Sequence, residues 1–187
     1  MNAFEACIAG GGVALFPADT VYGLACDPED AAAVQRLYAL KGRAPDKPAA
    51  VMFFDRDQAL LPELSERTRA LMARLLPGAV TLLVPSDRYP LAGGEGTLGL
   101  RVPDIPPLAS APVLQTSANL AGGPDARQLE EVPEAIRRGA DLVLDGGGLP
   151  GTPSTDIDLR RYEPGGDVRI LRAGAVPEAV VRSLAHD

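Results

Sequence analysis

"AVTLLVPSDRYPLAGGEGTLGLRVP", Ala79 to Pro103, is the stretch on which the fold turns. Both ends read as strands, at 79–85 and 97–103, being short, apolar or alternating and bounded by Gly and Pro. Between them "GEGTLG", Gly94 to Gly99, matches the dinucleotide pattern GxGxxG letter for letter. That fingerprint needs a strand before it and a helix opening on its last glycine. Here it follows "RYPLAG" and runs into the strand-like "LRVP", so it predicts a mobile hairpin or lid. A link this short leaves no room for a helical crossover, so the sheet is not purely parallel.

Further strands are predicted at 11–18, 49–54, 112–118, 141–145, 154–159 and 168–174. Helical spacing appears at 29–41, at 65–76, near 130–138 and at 177–185. Strands and helices alternate early, and strands dominate later. The fold class is α/β, a mixed parallel/antiparallel sheet flanked by helices, organised as one domain over residues 1–187.

Composition narrows the chemistry. Hydrophobic residues make up 46% and charged residues 23%, an ordinary globular balance. No apolar run approaches membrane-spanning length, and "MNAFEACIAGGG" has no basic n-region, so a cytoplasmic chain with no membrane segment is expected. Cys7 and Cys26 have no metal-ligand spacing and read as reduced core residues. The single histidine is His186, which leaves neither a zinc site nor a His-based triad the residues it needs. A net charge of −7 counts against a broad nucleic-acid surface, though not against a local basic cleft. "GGGLPGT" at Gly146 to Thr152 has no Lys after its second glycine and is no Walker A loop.

Two stretches carry candidate chemistry. "LYALKGRAPDKP", Leu37 to Pro48, ends the helix at 29–41: Asp27 or Asp30 caps its start, and Val34, Leu37, Tyr38 and Lys41 share one face. Gly42 is then a left-handed C′ residue, Lys41 sits at the negative end of the helix dipole, and Pro45 stops the helix. Helix capping alone accounts for this pattern; an anion-binding pair at Lys41 and Arg43 accounts for it equally. "LQTSANLAGG", Leu114 to Gly123, leaves an apolar strand through Ser117 and Asn119, two polar side chains on one side of the segment, where α/β sheets hold ligands.

Taken together, "FPADTVYGLACD", "KGRAPDKP", "PGAVTLLV", "LGLRVPDIP", "TSANLAG", "LDGG", "GTPSTDIDL" and "ILRAG" resemble, in order and approximate spacing, the YrdC-like family, over about Ala9 to Gly174. Its enzymatic members are threonylcarbamoyl-AMP synthases. The resemblance implies a twisted sheet with a large concave, electropositive cavity. It also implies formation of threonylcarbamoyl-adenylate and pyrophosphate from L-threonine, bicarbonate and ATP. The product then passes to separate tRNA-modifying proteins. Mg²⁺ would be carried on the ATP phosphates, with no protein metal site and no organic cofactor.

The same resemblance puts Lys41, Arg43, Ser117 and Asn119 at the phosphates as the catalytic group. Thr81 and Arg172 join them as nucleotide contacts, and Thr20, Ser154 and Arg101 fall at the threonine end. Departures from the family pattern concentrate at that end, with Ala18 in place of a threonine and Asp156 in place of a β-branched residue. Pro45 is displaced from its usual place directly after K-G-R, and Ala79 replaces a proline. Two alternatives stand beside the synthase: a non-catalytic relative with weak RNA or ribosome binding, and a paralogue activating a different amine.

Overall fold

The computed structural model describes residues 1–44, 47–162 and 166–186. A single nine-stranded mixed sheet runs through it, in the order β7-β1-β2-β6-β3-β5-β4-β8-β9. The strands are β1 (Ala14–Pro17), β2 (Tyr22–Cys26), β3 (Ala50–Met52), β4 (Val80–Val84), β5 (Leu98–Arg101), β6 (Val113–Ser117), β7 (Leu142–Val143), β8 (Thr155–Asp158) and β9 (Arg169–Arg172). The stretch that decided the fold becomes β4 and β5, paired antiparallel with Leu83 opposite Gly99. Between them Gly94 and Thr97 bridge a tight turn, in which the Gly96 amide donates to Asp87 at 3.0 Å. It is a hairpin, as the context of the glycines predicts.

The helices are α1 (Ala3–Ala9), α2 (Ala31–Lys41), α3 (Arg56–Ala59), α4 (Glu66–Leu75), α5 (Glu134–Gly139) and α6 (Glu178–His186). Of these α1 and α3 were not predicted, nor was strand β2. Of the two caps offered for α2, Asp30 is the one that forms, accepting from the amides of Ala32 and Ala33 at 2.9 and 3.1 Å. Gly42 closes the helix in the left-handed region at φ 57°, as the sequence predicts. The predicted stop at Pro45 lies outside the described residues.

Alternation along the strands divides the molecule. Val80, Leu82 and Val84 of β4, Leu98 and Leu100 of β5, and Leu114 of β6 turn to one face, against Leu37 of α2, Leu71 and Met72 of α4, and Val181 of α6. On the other face, α1 covers one end through Phe4 and Ile8, packed with Phe16, Ala25, Met52 and Val113. Cys26 lies in the first cluster and burial pushes its thiol up to about 12; Cys7 is only partly buried against the second. Among the described residues, the rest of that second face carries no helix. Residues in phase with Thr81, Gly99 and Gln115 are therefore left facing an open cleft.

Candidate active site

Strand register arranges the cleft floor in rows. In the first, Arg101 (β5), Thr81 (β4), Asp156 (β8) and Arg172 (β9) are neighbours across four successive strands. The second runs Gln115 (β6), Ala50 (β3), Gly99 (β5) and Leu83 (β4). Ser117, two residues beyond Gln115, stands opposite Gly23 in the row beyond. These residues line a cavity of about 300 Å³, with Thr20, Arg43, Asp125 and Ser154 on its walls.

At the first row, the Thr81 and Ser154 hydroxyls lie 2.9 Å apart. Arg172 donates to the Ser154 carbonyl and to Asp156, both at 3.0 Å. Sequence reasoning separated Thr81 and Arg172 from Ser154 as different subsites, whereas the fold joins them in one corner. Asp156 carries its carboxyl above the usual carboxylate range because it is buried, against the opposing pull of Arg172. Arg101 forms an ion pair with Asp19, both side chains under 10% exposed. Asp19 was not singled out in the sequence, although it sits between the two residues of "ADT" that were.

Thr20 follows directly. Its backbone carbonyl accepts from Gly151 at 2.9 Å, so the glycine-rich 146–152 segment braces the loop. The Thr20 hydroxyl is buried and has no hydrogen-bond partner among the described residues. An unsatisfied buried hydroxyl costs roughly 1–3 kcal/mol.

At the other end, Lys41 is 2% exposed and directs its ammonium at the exit of β6. It donates to the Asn119 carbonyl at 2.8 Å, to Asn119 Oδ1 at 2.9 Å and to the Ser117 carbonyl. Ser117 Oγ donates to the same Asn119 Oδ1 at 2.7 Å, and the Asn119 amide donates to Gly123 at 2.6 Å. The four residues predicted to act together do meet, but in two layers. Arg43 and Ser117 line the cavity; Lys41 and Asn119 stand behind Ser117 and hold it, while Arg43 is held by the carbonyls of its own loop. Burial, with Arg43 nearby, pulls the Lys41 ammonium down to about 8, against the raising effect of Asp125.

Charge in the cavity is unevenly balanced. Arg101 and Arg172 each have a carboxylate. Arg43 has none among the described residues: it donates to the carbonyls of Lys47 and Pro48, with its guanidinium 5.9 Å from the Tyr38 ring centre. The cleft therefore offers, among the described residues, one cation without a carboxylate partner in the same cavity as a serine hydroxyl, a combination suited to a phosphate oxygen.

Comparison with known proteins gives the chain its relatives. The family Sua5_yciO_yrdC, described as telomere recombination, matches residues 6–174. A threonylcarbamoyl-AMP synthase of Chromohalobacter salexigens is 39% identical over 84% of this chain and 91% of its own length. Another, of Pyrococcus abyssi, is 32% identical over 89% of this chain and 52% of its own, so the chain spans about half of that relative. The crystal structure of P. abyssi Sua5 complexed with L-threonine superposes with a TM-score of 0.85 and 29% identity, over 96% of this chain and 55% of that one.

Proposed function

Since this chain belongs to the Sua5, YciO and YrdC family, we propose that its cleft makes threonylcarbamoyl-AMP. It is a nucleotidyltransferase that joins L-threonine, bicarbonate and ATP, and its product serves threonylcarbamoyladenosine formation in tRNA. The observation that carries this reading is Arg43 and Ser117 on the wall of one cavity, with Lys41 and Asn119 locked behind Ser117.

The reaction has two balanced parts. The threonine amine attacks bicarbonate, giving a carbamate and water. A carbamate oxygen then attacks the α-phosphorus of ATP, and the bond to the β-phosphate oxygen breaks to release pyrophosphate. The nucleophile is already an anion, so catalysis is mainly alignment and charge stabilisation. Arg43 faces the phosphate oxygens as a fork. Ser117 rotates its proton from Asn119 to a phosphate oxygen. Asn119 stays in place because Lys41 and Gly123 hold both ends of its amide.

Thr20, with its free buried hydroxyl, and Arg101, fixed by Asp19, receive the amino acid with Ser154; Thr81 and Arg172 reach the nucleotide. Mg²⁺ would be carried on the triphosphate, where it would supply charge neutralisation to the phosphate oxygens. Among the described residues no cluster of three or more His, Cys, Asp or Glu is placed to hold a metal. No helix among them is long and apolar enough to cross a membrane. RNA binding finds little support in a cleft whose Arg101 and Arg172 are already neutralised.

The test is pyrophosphate release by the purified chain with ATP, Mg²⁺, threonine and labelled bicarbonate. Release that needs both threonine and bicarbonate is expected. Release indifferent to threonine, or absent, removes the reading.

A further inference from the structure

Gln115 is a polar residue in a strand whose other inward positions, Val113 and Leu114, belong to the two apolar clusters. It is 5% exposed and lines the cavity. Its register partners are Ala25 on β2 and Ala50 on β3, neither of which offers a polar side chain. No side chain or backbone group of the described residues hydrogen-bonds its amide. A Cβ on Gly23 would stand 2.8 Å from Gln115 Nε2, so the glycine on β2 is what leaves room for the amide to lie there. A glutamine amide carries two donors and one acceptor, and on this cavity floor all of them are left for whatever occupies the cavity.

Position decides which part of the ligand that is. Ser117 lies on one side of Gln115 along β6, with Arg43 on the wall of the same cavity, and across Ala50 and Gly99 the next row holds Arg101 and Thr81. Resting on the reading above, the first group faces phosphate and Arg101 faces threonine. In threonylcarbamoyl-adenylate the atoms between threonine and phosphate are the carbamoyl group. That group presents an N–H donor beside oxygen acceptors, the complement of a carboxamide.

We propose that Gln115 is a substrate-positioning residue for the carbamoyl group: Oε1 accepts its N–H and Nε2 donates to a carbamoyl oxygen. Alignment of the carbamate for attack on phosphorus then depends on β6 at two points, Gln115 for the nucleophile and Ser117 for the phosphate.

Calorimetry on the full chain tests this without turnover, and so separately from the activity itself. The probes are ATP, a hydrolysis-resistant sulfamate analogue of threonylcarbamoyl-adenylate, and the same analogue with oxygen in place of the carbamoyl N–H. Wild type is expected to prefer the N–H analogue by about tenfold, the size of a lost hydrogen bond with an acceptor left facing oxygen. Gln115→Ala should lose that preference while ATP affinity stays within about twofold. Gln115→Met, which keeps the volume, should do the same and guards against a collapsed Ala variant. The proposal is overturned if the wild type does not discriminate, if the variants discriminate as it does, or if they lose ATP and analogue equally, which would assign the amide to the nucleotide.

Discussion

Lys41 meets Asn119 at two atoms, 2.8 Å to the carbonyl and 2.9 Å to Oδ1, and the same Oδ1 takes the Ser117 hydroxyl. Lys41 thus reaches the cavity wall only through Asn119 and Ser117. Its ammonium, lowered to about 8 from the usual 10.5, titrates within an accessible range. Between those values the unfolded chain binds more protons than the folded one, so the Lys41 contribution to stability rises with pH across that window. The neutral amine has one donor fewer for the β6 exit, so ATP affinity should fall over the same range. Melting temperature and binding of a non-hydrolysable ATP analogue, each measured against Lys41→Met between pH 7 and about 10.5, should move in opposite directions. Parallel movement would count against this role.

Arg43 differs in that it faces the cavity and, among the described residues, donates only to the carbonyls of Lys47 and Pro48. Arg43→Ala should lower kcat/KM by about a hundredfold, the effect of removing one charge-stabilising donor. Its melting temperature should remain within about 2 °C of wild type, as for a surface change. Arg43→Lys keeps the charge but not the fork, and should recover only part of the loss.

The difference between these two residues was not legible in the sequence, which places them one glycine apart. How an ammonium distributes its protons is decided by the β6 exit, far off in the chain. Local signals fared better: Asp30, the apolar face of α2 and the left-handed Gly42 are all contained in one short segment and all form. Strand β2 was missed because all five residues, Tyr22 to Cys26, are buried. An all-buried strand shows neither a period of two nor one of 3.6. The capping box of α1, Asn2 with Glu5, was present to be read. Gln115 had a signal too, a lone amide in an apolar strand, but its meaning depends on Gly23, which only the pairing brings beside it.

Asp156, the acid that departs from the family pattern, neutralises Arg172 at 3.0 Å. Asp156→Asn should free that guanidinium and tighten ATP binding by about two- to fivefold, the scale of a half-exposed ion pair. Because burial raises the Asp156 carboxyl, acidification protonates it ahead of an ordinary carboxylate and has the same effect. The ratio of wild-type to Asn-variant affinity should therefore converge towards one as pH falls. A ratio flat with pH would mean that Asp156 does not compete with the nucleotide for Arg172.

Arg101 and Asp19 are the most deeply buried ion pair of the cleft, with side chains 5% and 7% exposed. Asp19→Ala leaves a guanidinium enclosed without its counter-charge, which costs about 3–5 kcal/mol. Arg101→Met with Asp19→Ala removes both charges and keeps much of the volume, so most of that stability should return. Denaturant unfolding of the two variants reads the difference directly. Threonine binding separates stability from function: it should fail in the double variant despite its recovered fold, since Arg101 is then missing from the cavity wall. Threonine affinity equal to wild type in that variant would leave the pair a purely structural tie between β5 and the Thr20 loop.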